Sequence, residues 1–581
     1  MPTSLAILPR RRQPATPLQR TLGVGLVFGV IGVYLAAVGL LPMLNKRSVI
    51  VDTIGLGDAT MIAIGLGAGA MAARHAHTRG GATLHGLLAG AVAGAMAAAL
   101  AVVMQLVSLQ SIFIQLSPAL FTMLTLGLGL AGGAAVLIGG GAAAGLAGAL
   151  LRDSPPGGRR IVLAGLGTVV VAGVFQELIQ LVLQNAGALT TSASEFFYTW
   201  EGLSQQGAAA IFVIAAIIAG LNAMVQRRAA GRVAASERRV RLRRLLRAGI
   251  LLLLLVCFPL LAGSYIGQVL MLVGLYILMG MGLNLEVGLA GLLDLGFVAF
   301  FAVGAYTTAL LTADSAHALA ALSYWEAMPI AVLLSICVGV IFGIPVLGVR
   351  GDYLAVATMG LGEIVRVIVT SDFAAPLLGG AQGVLQIPKP RIGATVLATP
   401  VALFYLTLAA SAVAAYVAWR LENSRLGRAW MALRDDEDVA QALGVNLIRS
   451  KLLAYGLGAA FAGLGGSIFA VMLSSVYPSS FQLLISINVL ALIIVGGMGS
   501  LPGVVVGSLA LIGLPELLRE FGEYRYLFYG AVLVIMMRLK PEGLWPSEVR
   551  RRELHAGDEA EALDAGADLL PAGQHASSAA E

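Results

Sequence analysis

Runs of about twenty apolar residues recur from one end of this chain to the other, each long enough to cross a hydrocarbon core about 30 Å thick. Inside lipid every backbone N–H and C=O must be bonded within the structure, which leaves helices and closed barrels. Strands of a spanning barrel are about ten residues long and alternate in polarity. The runs here are longer and do not alternate. The fold class that follows is all-α, a polytopic integral membrane protein. Charged residues make up 12% of the 581, against about 25% in soluble domains, and mean hydropathy is +0.89. Glycine is abundant, at 73 residues, and small residues let helix backbones approach one another in lipid. The pairs Gly129/Gly133 and Gly141/Gly145 have that spacing.

About sixteen spans can be placed. Six lie near 21–43, 53–73, 84–107, 120–150, 161–184 and 207–226. Ten more lie near 248–264, 267–284, 290–313, 327–348, 353–370, 399–419, 452–474, 484–499, 503–518 and 525–538. The fourth is long enough to hide a break, and the segments at 353–370 and 484–518 are candidates for re-entrant or broken helices. A basic stretch, RRAAGRVAASERRVRLRRLLR at 227–247, is the best domain boundary. It separates an N-terminal membrane extension (1–226) from a second membrane domain (248–546), which is followed by a polar, Ala-rich tail (547–581) that reads as disordered.

Of the 37 basic residues 33 are arginine, and they cluster in alternate loops: Arg10–Arg12 and Arg20, then Arg74 and Arg79, then Arg152, Arg159 and Arg160, then the linker. Only Lys46 and Arg47 break the pattern. The positive-inside rule puts the N-terminus, the linker, 420–451 and the tail in the cytoplasm, and 314–326 and 371–398 outside. The arginines therefore read as topology signals, not as a nucleic-acid surface. The apolar run after Arg20 is too long for a signal peptide and lacks a small-x-small cleavage site, so a retained first helix is expected. Cys257 and Cys337 lie in apolar runs and are expected as small core residues.

Against this background SRLGRAWMALRDDEDVAQALGVN (424–446) is out of place, with three arginines, three aspartates and a glutamate between two spans. DDED at 435–438 offers a helix cap and an acidic first turn. VAQAL continues it, and Gly444 is placed to stop it. The expected helix has about two turns, with Val439, Ala440, Ala442 and Leu443 as its apolar side. Before it, Leu426, Trp430 and Leu433 fall at helical spacing. Such a helix either lies on the membrane surface or serves as a docking element for a soluble partner.

This stretch resembles the cytoplasmic signature of LivM-type permeases in bacterial ABC importers for branched-chain amino acids. The family's Ala-x-Ala-x-Gly core stands here as Ala440, Ala442 and Gly444. GLNLEVGLAGLLDLGFVAFFAVGAY (282–306), GDYLAVATMGLGEIVR (351–366), GGAQGVLQIPKP (379–390), GGMGSLPG (496–503) and RLKPEGLWP (538–546) resemble the same family in the same order, over about 250–547. Val504 stands where the family often has Pro. Residues 1–247 are not covered and do not resemble the companion LivH-type permease. The resemblance implies the importer permease fold for the C-terminal half. It also implies an ATPase-coupling role for Gly427, Arg428, Arg434, Asp436, Glu437, Ala440, Ala442, Leu443 and Gly444. The implied partners are a second, LivH-type permease subunit, two ATPase subunits and an extracytoplasmic substrate-binding protein, in the lipid bilayer of the bacterial inner membrane. The implied function is import of branched-chain amino acids. Urea or short amides on the same machinery, or secondary transport without ATP, are the alternatives.

The chain has no G-x-x-x-x-G-K-[ST] loop, and none of its four lysines follows a glycine. ATP with Mg is therefore expected on partner ATPase subunits, and no cofactor or metal on this chain. H-E-x-x-H is absent too, which argues against a membrane-embedded metalloenzyme. Paired broken helices in two inverted halves, a mark of many secondary transporters, are not seen. Polar and ionisable groups within spans face protein or water. On that ground Asn284, Glu286, Asp294, Tyr306, Glu363 and Arg366 are candidates for the substrate pathway or its gating. Glu363 and Arg366 are three apart and can pair, and Asp294 is expected at a helix break in the Gly-rich 288–296 region. Gly380, Gln382, Gly383 and Pro388 lie in an ordered loop on the outer side and are candidates for contact with the binding protein. In the N-terminal extension Asp58 and Glu177 fall inside spans, Asp58 near a helix start where it can act as a cap. His75 and His77 are weak metal candidates.

Overall fold

The computed structural model describes residues 16–546 except 52, 77, 108–112, 114, 186, 200–201, 231–236, 316, 350, 520–521, 523 and 541. His77, part of the basic linker and the 547–581 tail lie outside the described residues. Among the described residues twelve helices are long and apolar enough to cross a membrane. The chain divides into two compact units, Met1–Leu254 and Leu255–Glu581.

The first unit contains α1 (Pro17–Ala37), α2 (Leu56–Ala72), α3 (Arg79–Leu106), α4 (Pro118–Thr125), α5 (Gly129–Asp153), α6 (Pro156–Val174) and α7 (Gln205–Ala230). A short antiparallel pair, β1 (Ser48–Ile50) and β2 (Ile54–Gly55), precedes α2. The tightest seam runs between α3 and α5. A Cβ on Gly141 would meet the Gly90 carbonyl at 2.5 Å, and Gly145 sits likewise against Gly86. Gly141/Gly145 is thus a packing pair, as its spacing implies. Gly129 is not: it starts α5 with φ +73° and nothing within 4 Å of its Cβ position.

Two long apolar runs are each broken. The run at 120–150 is α4 plus α5, because Leu126, Gly127 and Gly129 take left-handed φ values of 50°, 71° and 73° and turn the chain. The run at 161–184 ends as a span at Val174, and a separate helix covers Gln176–Asn185. Glu177 therefore stands in the first turn of that short helix, where its carboxylate pairs with Arg47 at 2.5 Å. Arg47, which interrupts the alternation of basic loops, thus has an acidic partner. Asp58 is a cap: its Oδ2 accepts the Gly55 N–H at 3.1 Å.

The second unit is built on the part of α8 (Glu237–Leu283) that follows residue 254, a π turn (Asn284–Leu289), α9 (Val298–Thr312), α10 (Tyr324–Val346), α11 (Asp352–Thr370), α12 (Pro400–Glu422), α13 (Arg425–Asp435), α14 (Glu437–Ala442), α15 (Leu447–Leu473), α16 (Leu483–Gly496), α17 (Leu501–Ser508) and α18 (Tyr524–Leu539). The two spans expected at 248–264 and 267–284 are the two parts of α8, which meet at Gly263, where the backbone leaves the helical region (φ 81°). The span expected at 290–313 is helical only from Val298, so Asp294 does lie in a break. The run at 484–518 turns at Gly497 (φ 119°) and Gly499 (φ 75°) between α16 and α17. In the loops, β3 (Val384–Leu385) pairs antiparallel with β6 (Ser475–Val476), and β4 (Arg391–Ile392) with β5 (Thr395–Val396).

The core of this unit is α15, packed against α9 and α10. Its inward face is mostly Gly, Ala and Ser, so backbones meet almost directly. A Cβ on Gly466 would strike the Phe301 carbonyl and come within 2.8 Å of the Ala305 nitrogen, and one on Gly339 would lie 2.9 Å from the Tyr455 carbonyl. Of the two cysteines Cys337 is exposed, not core, and Cys257 is half-buried. Replacing Gly466 by Ala should destabilise the unit by about 1–3 kcal/mol, since α9 must shift to admit the methyl group. Gly360, with nothing within 4 Å, should tolerate Ala and gain up to about 1 kcal/mol. Thermal melting of the purified protein in detergent separates the two.

Candidate functional site

Residues 424–446 fold as two helices set at an angle. Ser424 caps α13 by accepting the N–H groups of Leu426 and Gly427 at 3.1 and 3.2 Å. Asp436 then caps α14, accepting from Asp438 and Val439 at 2.8 and 3.0 Å, and Gly444 ends the segment with φ +88°. Only Gly can take that conformation at little cost. α13 buries Gly427, Trp430 and Leu433, while Leu426 stays 36% exposed. The Trp430 indole donates to the Ser450 carbonyl at 2.9 Å. Lys451, buried in α15, pairs with Glu437 at 2.7 Å.

The expected apolar side of α14 divides. Ala440 is buried, but Val439 and Leu443 are 54% and 77% exposed, and Ala442, Asp436 and Arg428 also face outward. The outcome is a short rigid helix fastened from behind and apolar in front. Its anchoring residues, Trp430 and Lys451, carry no expected role from sequence. The signal available for Lys451 was its rarity, one of four lysines in the chain.

Behind this segment lies the π turn. Arg434 Nη1 donates to the Gly288 carbonyl at 2.9 Å, and a Cβ on Gly291 (φ +72°) would sit 2.7 Å from Arg434 Cγ. Asn284 Oδ1 accepts from the Gly499 N–H at 2.9 Å. The Leu544 and Trp545 N–H groups bond the Val495 and Gly496 carbonyls, each at 2.8 Å. Four of the sequence motifs, at 282–306, 424–446, 496–503 and 538–546, therefore converge at one end of the unit. Deeper in, Glu286 and Asp294 are fully buried. The two carboxyls neighbour each other, and the Tyr455 hydroxyl has no hydrogen-bond partner among the described residues. π turns free backbone groups and recur at functional sites.

The six pathway candidates separate into two sets. Asn284, Glu286 and Asp294 belong to the buried end just described. Glu363, Arg366 and Tyr306 border a groove between α9 and α11. A cavity of about 150 Å³ there is lined by Leu295, Val298, Met359, Gly362, Glu363 and Phe481, among others. An adjoining gap reaches Tyr306 and Arg366. Glu363 accepts from Arg366 Nε at 2.9 and 3.0 Å, and also from its Nη2. The pair is half exposed, on a face of α11 that otherwise shows Val356, Ile364 and Val367.

A family model described as the permease component of the branched-chain amino acid transport system matches residues 265–537. The high-affinity branched-chain amino acid transport system permease protein LivM of Escherichia coli (strain K12) is 38% identical over 319 residues, 51% of this chain and 73% of the relative. The chain belongs to this permease family. A probable LivM of Methanocaldococcus jannaschii is 23% identical over 334 residues, 49% of this chain and 94% of its own length. LivH of Escherichia coli (strain K12) is 23% identical over 285 residues, 46% of this chain and 90% of its own. No solved structure matches. The protein is thus a multi-pass membrane protein of a transport permease family, not an enzyme. The family model begins inside the second unit, and the first lies outside it.

At the other end of the permease unit, the loop carrying Gly380, Gln382, Gly383 and Pro388 is firmly held. Gly380 and Gly383 are buried at φ +54° and +64°, Gln382 is exposed and Pro388 half-buried. Lys389 Nζ donates to the last carbonyls of α15, Val471 at 2.7 Å and Met472 at 2.8 Å. Burial lowers the Lys389 ammonium from its ordinary value, while the negative end of the helix dipole favours its charge. Replacing Lys451 by Met should loosen α14 by on the order of 3 kcal/mol, the usual cost of removing one partner of a buried ion pair. Faster deuterium exchange at the Asp438 and Val439 amides, with α15 amides unchanged, is the expected reading.

Proposed function

We propose that this protein is a permease subunit of an ATP-driven importer that moves branched-chain amino acids across the bacterial inner membrane into the cytoplasm. The observation that carries the reading is α14, a short helix with Val439 and Leu443 exposed and its back bonded to α15 through Lys451. An isolated membrane protein has no use for such an apolar tip at its polar end, whereas a soluble ATPase with a groove for it gains a rigid handle. Motion applied to α14 passes through Trp430 and Lys451 into α15, and through Arg434 into the π turn and the 290–297 break. In this reading ATP with Mg is bound by two partner ATPase subunits.

The groove between α9 and α11 is the part of the pathway that this subunit contributes. An ion pair half exposed on a membrane span is costly in lipid, which favours an aqueous path or a second permease subunit of the LivH type against this face. The walls are apolar, Leu295, Val298, Met359 and Phe481, and suit an aliphatic side chain. Glu363 and Arg366 offer one acceptor and one donor group for the zwitterionic end. Selectivity would come mainly from an extracytoplasmic binding protein resting on the 379–390 loop. The basic loops support a cytoplasmic N-terminus, linker and 420–451 segment.

Leu443→Asp should abolish recovery of ATPase subunits with the tagged permease from mild detergent, and leucine uptake with it, while leaving the melting temperature unchanged. Normal uptake in that variant would remove the docking role. Exchanging the pair, Glu363→Arg with Arg366→Glu, should preserve folding and ATPase recovery yet reduce leucine uptake several-fold. Unchanged uptake would show that the groove lies off the path.

A further inference from the structure

The first unit encloses a cavity of about 340 Å³ between α1, α2, α3 and α5, closed at one end by α4. The walls are almost wholly apolar, and many are glycine or alanine. Two of the glycines keep space open instead of closing a seam. A Cβ on Gly140 would meet nothing within 4 Å, and one on Gly32 would meet Ile64 Cδ1 only at 3.6 Å. The cavity opens sideways, and its rim is apolar: Ile62, Leu126 and Val136 are 44%, 58% and 38% exposed. Along α5 it runs from Val136 to Ala144, eight residue steps or roughly 12 Å.

Tight packing is the rule in protein interiors, and an empty space of this size forfeits dispersion contacts along its whole lining. At membrane depth an apolar opening admits hydrocarbon. One lining residue carries a charge. Asp58 stands in the first turn of α2, at the end of that span. Its Oδ2 accepts the Gly55 N–H, which caps the helix but does not neutralise the carboxylate, and no cation pairs with it among the described residues. A charge beside an apolar membrane cavity calls for a counter-charge.

We propose that this cavity is a lipid site, with one acyl chain lying in the slot between α2 and α5 and the ammonium group of an aminophospholipid headgroup meeting Asp58. The site gives the first unit, which lies outside the family match, a binding activity of its own. Helix geometry sets the order: Asp58 at the span's end faces the headgroup layer, and Gly65 and Ala144 lie deeper. An anionic lipid would set its phosphate and free charge against the carboxylate, so the site discriminates by headgroup.

The test uses the full-length protein, delipidated in detergent and offered phosphatidylethanolamine or phosphatidylglycerol with identical acyl chains, with retained lipid read by native mass spectrometry. Wild type should retain several-fold more phosphatidylethanolamine. Asp58→Asn should equalise the two lipids, and Gly140→Leu, which fills the slot from a position with free space, should lose both. Equal retention of the two lipids by wild type overturns the proposal without recourse to any variant. Wild-type levels of phosphatidylethanolamine on folded Gly140→Leu overturn it as well.

Discussion

Direct backbone contact along glycine faces is the constraint on which the rest of the structure depends. Helices in lipid gain nothing from hiding apolar side chains from water, so they hold together by close packing. Here α15 meets α9 at Gly466 and Gly463, and α3 meets α5 at Gly90, Gly141 and Gly145, with no side chain between them. Such seams leave no slack. A displacement at one end of α15 is passed along the helix, because at these close approaches no side chain stands between the backbones to yield. Rigidity of this kind is what a machine driven from one face requires.

The polar groups are concentrated where that rigid body meets its moving parts. Lys451 and Glu437 join α14 to α15, and Arg434 joins α13 to the π turn. The carboxyls of Glu286 and Asp294 are buried beside one another behind that junction. The α9–α11 groove starts from the same place, since Leu295 of its lining follows Asp294 directly. The 424–446 segment, the 290–297 break and the groove thus form one continuous path of contacts in the second unit.

The first unit follows the same packing rule to a different end. Its glycines divide into those that close the α3–α5 seam and those, Gly32 and Gly140, that keep an apolar space open. Three of its charged groups act locally: Arg47 holds Glu177, and Asp58 caps α2.

Much of this was legible in the chain itself. Hydrophobic run length determined an all-helical membrane fold, because lipid allows a backbone few other choices. The 424–446 segment was legible because caps and stop signals act over three or four residues: Asp436, the acidic turn and Gly444 each stand where local hydrogen bonding needs them. The breaks were harder. The run at 120–150 carries apolar residues straight through its turn, which only the left-handed backbone at Leu126 and Gly127 reveals, whereas the break in the run at 161–184 is marked only by the polar pair Gln176 and Glu177. Tertiary structure alone decided which candidates share a site. Run length and spacing cannot separate Glu286, buried at the π turn, from Glu363, half exposed in a groove, since both are lone carboxylates in apolar spans. Nor could they show that Leu443 faces outward while Ala440 faces in, or that Lys451 reaches Glu437. Those facts depend on which helix lies behind each residue, and neighbours distant in sequence supply that helix.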